Sequence, residues 1–169
     1  MWFLISGGQA HWEIRLSSSR GVVYYYNHDT KESVWDPPAD LTPEQIKALP
    51  GAQYLNRPPQ VRASHLLVKH KGSRRPSSWK EPNITRTKDE AIKILTGYRD
   101  EIGFSAQKFA ELASLHSDCS SHSNGGDLGF FKPGQMQKPF EDATYALEVN
   151  EISDIISTDS GVHIILRTA

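Results

Sequence analysis

The sequence predicts two folding units: a small all-β unit with a three-stranded antiparallel sheet, followed by a larger α+β domain. Two observations carry this prediction. Residues 12–38 contain three short runs of strand-forming residues separated by polar turns, whereas residues 61–169 alternate between strand-like and helix-like patterns. A chain of 169 residues also has room for one small and one medium domain.

The small unit is predicted over residues 9–38, after a tail, residues 1–8, to which the sequence assigns no role. Its three strands are expected at Trp12–Leu16, Val22–Tyr26 and Ser33–Trp35. Pro37 and Pro38 stop the last strand, because proline cannot donate to a sheet ladder. About 30 residues cannot enclose a large core, so large aromatic side chains must supply most of the buried surface.

Residues 39–60 are predicted to form a linker that holds one short helix, near residues 43–49. Thr42 and Gln45 have the spacing of a capping box, in which each residue satisfies a backbone donor of the other. Pro43 suits the first position of that helix, where its missing N–H costs nothing.

Residues 61–169 are predicted to form one domain. Its strands are expected at residues 61–70, 128–131, 152–156 and 162–167, and helices at residues 87–102, 105–115 and 139–147. Thr87 and Glu90 form a capping box before the first of these helices. Its inward side chains are expected to be Ala91, Ile94, Leu95, Tyr98 and Ile102. The last strand is too apolar for an edge and is predicted to be central.

Composition excludes several classes of protein and site. A net charge of -1 argues against a general nucleic-acid-binding protein, which needs surplus basic residues to neutralise phosphates. The single cysteine, Cys119, excludes an internal disulfide framework and a cysteine-rich zinc site. No segment approaches the roughly 20 apolar residues of a membrane helix. His65 and His70 face opposite sides of a strand, and neither a metal site nor a cofactor is predicted.

The second predicted strand carries three consecutive tyrosines. Tyr24 and Tyr26 face one side and Tyr25 the other, which leaves Tyr24 beside Trp35 at the surface. Two exposed rings form a groove suited to an extended proline segment, whose polyproline conformation needs little ordering. The alternative is that Trp35 belongs to the core, although so small a unit cannot enclose two tryptophans.

The small unit resembles the WW family. The resemblance is carried by Trp12-Glu13, Tyr24-Tyr25-Tyr26-Asn27, Thr30, Trp35 and Pro38. Gln9 stands where the family usually has a proline. The phosphoserine-binding members imply Ser17 as a phosphate ligand followed by an arginine, but here Ser18 follows, which leaves Arg20 as the substitute and Arg15 as a weaker candidate.

The larger domain resembles the parvulin family of prolyl isomerases over essentially all of residues 61–169. The motifs that carry the resemblance occur in the family's order: Ser64–His70, Ser73–Pro76, Ser117–Ser121, Gly126–Gly129, Gly134–Ala143 and Asp159–Ile165. The resemblance implies a four-stranded sheet surrounded by about four helices. With the WW-like unit in front, it implies the branch of the family that acts on phosphorylated Ser/Thr-Pro segments.

The resemblance also implies roles for individual residues. Leu128, Met136 and Phe140 correspond to the pocket for the proline ring, although their residue types alone would favour a plain core. Gln137 corresponds to a ligand of the substrate backbone. The polar floor of the site corresponds to His65, Cys119, Ser160 and His163. The two histidines either share a proton or serve structure alone.

Basic residues cluster between the first strand and the first helix of this domain. Lys69, Arg74 and Arg75 correspond to the family's phosphate clamp, since paired guanidiniums bind a phosphate bidentately. Charge alone would favour a solvated loop or a nuclear-import patch, but the position between His65 and the first helix favours the clamp. Trp79, in the same loop, is expected to be a packing anchor.

The sequence therefore predicts an isomerase of phospho-Ser/Thr-Pro bonds that works without a covalent step, with the WW-like unit binding Ser/Thr-Pro motifs. The alternatives are a non-catalytic adaptor that only binds such segments, and a cysteine hydrolase built on Cys119 and a histidine. The resemblance implies phosphoproteins as partners, including the C-terminal repeats of RNA polymerase II. It further implies a monomer in the nucleus and also the cytoplasm, with no direct binding to nucleic acid or membrane.

Overall fold

A computed structural model describes residues 11–169, so the predicted tail at residues 1–8 and Gln9 lie outside the described part of the chain. The chain divides into two compact units, with the boundary between Pro58 and Pro59. The predicted fold class is confirmed in both units, as a three-stranded and a four-stranded antiparallel sheet.

The first unit is built on three antiparallel strands in sequence order. They are β1 (Trp12–Leu16), β2 (Val23–Asn27) and β3 (Ser33–Val34). Ile14 lies opposite Tyr25, and both side chains are buried, so they form the small core of the sheet. The observed β2 starts one residue later than predicted, and β3 ends before Trp35.

The segment after this sheet packs against β1 instead of running free. Helix α1 (Pro43–Lys47) has the predicted capping box of Thr42 and Gln45. A short 3-10 helix that the sequence did not predict follows at Ala52–Asn56. The N–H of Ile14 donates to the carbonyl of Pro50 at 2.8 Å. Gly51 has a φ of 87°, and a Cβ there would lie 1.8 Å from the carbonyl oxygen of Ile14, so only glycine fits this close approach.

The second unit contains four antiparallel strands in the order β5-β4-β7-β6. They are β4 (Val61–Val68), β5 (Asp127–Phe131), β6 (Ile156–Thr158) and β7 (Gly161–Arg167). The prediction that the last strand is central is confirmed. The prediction of a strand at residues 152–156 is wrong in position: Ile152 makes one isolated bridge to Leu166, and the ladder resumes only at Ile156.

Three helices cover this sheet: α2 (Lys88–Ile102), α3 (Ala106–His116) and α4 (Lys138–Ala146). The predicted capping box of Thr87 and Glu90 opens α2. Ala91, Leu95 and Ile102 are buried as predicted, but Ile94 is 39% exposed, so its predicted inward position is wrong. A 3-10 helix at Ser120–Asn124 follows α3.

Successive side chains of β7 point to opposite faces of the sheet, so they belong to two different buried clusters. The same alternation decides which face His163 occupies. Val162, Ile164 and Leu166 pack with α2 and α3, whereas Ile165 belongs to the cluster that contains Phe140 of α4. His163 is two residues from Ile165 and therefore shares the face that α4 covers. Within residues 11–169, no helix is long and apolar enough to cross a membrane.

Candidate active site

Two histidines meet on the face of the sheet that α4 covers. His65 of β4 lies opposite Ile165, and Leu67 lies opposite His163, so the histidines occupy diagonal positions on neighbouring strands. Their Nδ1 atoms are 3.0 Å apart, and both side chains are buried. A hydrogen bond at this distance requires that one Nδ1 carries the proton and the other accepts it.

Thr158 fixes the other side of the His163 ring. Its Oγ1 is 2.7 Å from Nε2 of His163 and also accepts a hydrogen bond from the N–H of Ser160 at 3.2 Å. Burial, together with the nearby charge of His65 when it is protonated, lowers the pKa of His163 to about 3. His163 is therefore neutral at physiological pH. The sequence did not single out Thr158, because nothing in its local pattern distinguishes it from an ordinary turn residue.

Cys119 lies where α3 gives way to the 3-10 helix, and its side chain is half-buried. Burial alone raises the pKa of its thiol, but contact with the His65 imidazole and hydrogen bonding with Ser121 outweigh that effect and lower it to about 6. Nε2 of His65 makes no hydrogen bond of standard geometry within residues 11–169. At neutral pH the thiolate is therefore the main form of Cys119.

The three residues predicted to hold a proline ring lie in one apolar cluster. Phe140 is buried, and Leu128 and Met136 are partly buried against the same cluster. The Phe140 ring packs edge-on against both His65, at 5.5 Å between centroids, and His163, at 5.4 Å. The histidine pair and the apolar cluster are thus in direct contact.

Gln137 and Ser160 are joined by a hydrogen bond between their side chains. The side-chain amide of Gln137 donates to Oγ of Ser160 at 3.0 Å and accepts from the N–H of Asp159 at 3.0 Å. Gln137 precedes α4, so these bonds tie the start of that helix to the turn between β6 and β7.

The basic segment 69–80, called the cationic loop from here on, borders this turn. The N–H of Arg74 donates to the carbonyl of Asp159 at 2.8 Å. Arg74 and Arg75 are exposed, and neither has a carboxylate partner among residues 11–169. The ammonium of Lys69 donates to the carbonyl of Ser77 within the loop, at 2.8 Å.

Asp118 ties the start of the cationic loop to the segment that holds Cys119. Its fully buried carboxylate accepts from the N–H of Lys69 at 2.9 Å and lies 3.4 Å from Arg86, which also donates to the Lys69 carbonyl. The sequence did not single out Asp118 or Arg86 for this role, because the partners are distant along the chain.

The other end of the cationic loop is held by Trp79. Its indole N–H donates to the carbonyl of Ser117 at 2.7 Å, and its ring stacks on His122. The prediction that Trp79 anchors the loop is confirmed.

The first unit presents the predicted aromatic pair at its surface. Tyr24 and Trp35 meet edge to face at 5.7 Å, and Trp35 is 50% exposed, so the alternative of a core tryptophan is wrong. The guanidinium of Arg20 lies 4.8 Å from the centre of the Trp35 ring, and the N–H of Arg20 donates to Oγ of Ser17. Arg15 pairs with Glu13 at 2.8 Å, and its guanidinium lies 4.0 Å from the centre of the Tyr26 ring.

Within residues 11–169, no group of three histidine, cysteine, aspartate or glutamate side chains is arranged to hold a metal ion.

Comparisons with known proteins cover both units. Residues 65–169 match the Rotamase family, described as a PPIC-type PPIase domain, and residues 9–38 match the WW domain family. The chain is 52% identical over 159 residues to peptidyl-prolyl cis-trans isomerase pin1 of Rhizopus delemar, covering 94% of this chain and 97% of the relative. It is 45% identical over 166 residues to pin1 of Schizosaccharomyces pombe, covering 94% and 95%.

A solved structure agrees with these relatives. Peptidyl-prolyl isomerase ESS1 from Candida albicans matches with a TM-score of 0.64 and 46% identity, covering 95% of this chain and 96% of that one. The protein therefore belongs to the PPIC-type, or parvulin, family of peptidyl-prolyl cis-trans isomerases and carries a WW domain ahead of its isomerase domain.

Proposed function

We propose that this isomerase acts on bonds in which a phosphorylated serine or threonine precedes the proline. The observation that carries the proposal is the backbone hydrogen bond from the N–H of Arg74 to the Asp159 carbonyl, which brings the loop that bears Arg74 and Arg75 next to Ser160. It supports a cationic rim next to the polar floor. An anion before the proline would then meet the guanidiniums while the following ring enters the apolar cluster.

The rim has the properties of a phosphate clamp. Arg74 and Arg75 are exposed and unpaired with carboxylates in the described residues, so they are available to a ligand. A phosphate group carries a charge of about -1.5 to -2 and accepts bidentate hydrogen bonds from arginine. Lys69, which is held by its bonds to Asp118 and Ser77, would add a third positive charge.

Leu128, Met136 and Phe140 form the proposed ring pocket. Rotation of a peptide bond has a barrier of about 18–20 kcal/mol, because conjugation is lost in the twisted form. Catalysis requires only that the site bind the twisted amide more tightly than either planar form. An apolar pocket that excludes water beside a fixed polar floor meets this requirement. We assign Gln137 to the substrate backbone.

The hydrogen bonds of the floor favour one arrangement of protons. Because Thr158 accepts from the Ser160 N–H, its hydroxyl is free to donate to Nε2 of neutral His163. Nδ1 of His163 then donates to Nδ1 of His65, which leaves the proton of His65 on Nε2, toward the Cys119 thiolate. In this arrangement the floor is a chain of fixed dipoles next to the ring pocket.

Cys119 is assigned a non-covalent role. Its thiolate, stabilised by His65 and Ser121, supplies negative charge beside the twisting amide. No bond is formed or broken in isomerisation, so a nucleophilic step is not needed. Retained turnover in Cys119→Ser supports this assignment, whereas a trapped acyl-enzyme would instead favour the cysteine hydrolase.

The WW domain is proposed to bind Ser/Thr-Pro segments through Ser17, Arg20, Tyr24 and Trp35. The aromatic pair is placed to pack against a proline ring. Arg20 is the preferred phosphate ligand over Arg15, because Arg15 is already paired with Glu13. Two linked sites gain effective concentration on proteins with repeated motifs.

The proposal also covers the substrates of the protein and its location in the cell. The repeats at the C-terminus of RNA polymerase II and other phosphoproteins are the proposed substrates, and the nucleus, with the cytoplasm, is the proposed location. The protein is proposed to act as a monomer without a cofactor. Enrichment of polymerase phosphorylated on its repeats by the full chain, lost upon phosphatase treatment, would support this choice of substrate.

One experiment tests the central proposal. Isomerisation of matched peptides with phosphoserine, glutamate or serine before proline is measured by NMR exchange. The wild type is expected to prefer phosphoserine. Arg74→Ala and Arg75→Ala should each reduce that preference about tenfold to hundredfold, since a hydrogen bond to a charged group contributes about 1.5–3 kcal/mol.

Lys93→Ala is the matched control, because it removes one positive charge from an exposed position of α2 outside the loop. It should leave the preference unchanged. Preference that survives the double arginine variant would show that the clamp is misassigned. The non-catalytic adaptor would be favoured if the peptide signals broadened through binding alone, without cis/trans exchange, and sharpened again once the peptide was saturated with protein.

A further inference from the structure

The stack of Trp79 on His122 contains no residue to which contact with the substrate was assigned. The rings of Trp79 and His122 are nearly parallel, with an angle of 11° and 3.8 Å between centroids. Trp79 belongs to the cationic loop, whereas His122 belongs to the 3-10 helix that follows Cys119. The stack therefore joins the proposed phosphate clamp to the segment of the proposed floor.

The cationic loop is fixed at two places on one short segment. At its start, Lys69 donates to the buried carboxylate of Asp118. At its far end, Trp79 donates to the carbonyl of Ser117, and the Lys80 ammonium donates to the carbonyl of His116, each at 2.7 Å. These carbonyls lie at the C-terminal end of α3, where backbone carbonyls have no hydrogen-bond donor within the helix. Arg74 and Arg75 lie between the two anchors.

The far anchor is the more exposed one. Trp79 is 52% exposed, whereas the Asp118 carboxylate is fully buried. A single hydrogen bond contributes only modestly to stability, because folding exchanges it for hydrogen bonds to water. Contact with a second flat ring stabilises Trp79 beyond the effect of the area that it buries.

His122 is itself held in place. Its Nδ1 donates to the carbonyl of Ser114 in α3 at 3.2 Å, which sets the orientation of its ring. Trp79 thus packs on a surface that is fixed to the same helix as its hydrogen-bond acceptor. The ring of His122 therefore adds a second restraint on Trp79 besides the hydrogen bond to Ser117.

We infer that His122 is a positioning residue for phosphate recognition, which acts through Trp79 to hold the cationic loop in its binding conformation. The inference rests on the proposed function in one respect, that Arg74 and Arg75 bind the substrate phosphate. A loop that is ordered before binding loses less conformational entropy when the phosphate arrives. The effect therefore falls on the binding of phosphorylated substrates and not on the twisting step.

The test compares KM and kcat for His122→Ala with those of the wild type. KM for a phosphorylated Ser-Pro peptide should rise about twofold to tenfold, the range that corresponds to loss of one aromatic contact. Its kcat should change less than about twofold, and kcat/KM for the unphosphorylated peptide should not change. His122→Phe keeps a flat ring and should restore KM to near the wild-type value.

Two further measurements separate positioning from general destabilisation. In a Trp79→Ala background, His122→Ala should not change KM further, because the ring on which His122 stacks is already absent. Hydrogen exchange of the Trp79 indole N–H, followed by NMR, should become faster in His122→Ala and stay near the wild-type rate in His122→Phe.

Three results would overturn the inference: an unchanged KM in His122→Ala, failure of His122→Phe to restore it, or a full effect of His122→Ala when Trp79 is absent. If the wild type showed no preference for phosphorylated peptides, the proposed function would fail instead. The indole exchange rates would still decide, in that case, whether His122 holds Trp79.

Discussion

The Nδ1 atoms of His65 and His163 lie 3.0 Å apart in the buried face of the central strand pair. A charged imidazole is costly there, and burial lowers the pKa of His163 to about 3. His163 is therefore better suited to a neutral, fixed position than to repeated proton uptake. Thr158 completes the arrangement from the far side of the His163 ring.

Thr158→Val tests whether that contact holds the pair. Valine has nearly the same shape as threonine but leaves Nε2 of His163 buried without a partner, which should lower the free energy of unfolding by about 1–3 kcal/mol. Urea unfolding of both proteins measures the difference. Thr158→Ser retains the hydroxyl and should stay closer to the wild type; equal stability of the valine variant and the wild type would contradict the role of Thr158.

The pH dependence of alkylation tests the environment of Cys119. Only the thiolate reacts with iodoacetamide, and Cys119 is the single cysteine of the chain, so the rate reports this residue alone. With a pKa of about 6, the thiol is protonated and slow below pH 6, and the rate should reach half of its plateau near pH 6.

The control for this measurement is His65→Leu. Without the imidazole, only the hydrogen bonds of Ser121 oppose the effect of burial on the pKa of Cys119, so the half-point should move upward. A wild-type half-point near that of an ordinary cysteine, or no upward movement in the variant, would contradict stabilisation of the thiolate by His65.

Trp35→Ala tests the groove of the WW domain. Loss of an exposed aromatic wall typically costs 2 kcal/mol or more at an interface, so peptide affinity of this domain should fall by about thirtyfold. A titration of the full chain with a phosphorylated Ser-Pro peptide, monitored at the NMR signals of Tyr24, measures it. Val34→Ala, on the neighbouring exposed residue, should bind normally; undiminished binding by Trp35→Ala would exclude the groove.

Gly126→Ala tests the close approach behind His65. Gly126 has a φ of 86°, and a Cβ would lie 2.3 Å from the carbonyl oxygen of His65. The variant should lose about 2 kcal/mol or more of unfolding free energy, because backbone must shift and an alanine is strained at this φ. Gly97→Ala is the control: it meets nothing within 4 Å in α2 and should gain up to about 1 kcal/mol.

Local signals in the sequence predicted much of the fold. Both capping boxes, at Thr42 and Thr87, appear as expected, because a cap depends on residues only three apart. The misplaced strand at residues 152–156 has a tertiary cause. Oγ of Ser153 accepts the N–H of Ile165 and so takes the place of a ladder bond, which delays the strand until Ile156.

The error at Ile94 has a similar cause. Helical periodicity identifies the apolar stripe of a helix, but the neighbouring elements decide how much of that stripe is buried. In α2 the covered stripe contains Ala91, Leu95 and Ile102, and it leaves Ile94 at its edge.

By itself, the sequence determined the family of this protein, its two units and the residue types of the proposed site, because motifs and short-range periodicity are properties of neighbouring residues. Only the tertiary structure decided which side chains touch. Thr158 bonds His163, Asp118 holds the cationic loop, and Trp79 stacks on His122. The latter two contacts join segments about 40 to 50 positions apart, and the register of packed strands and helices, which no local pattern encodes, brings them together.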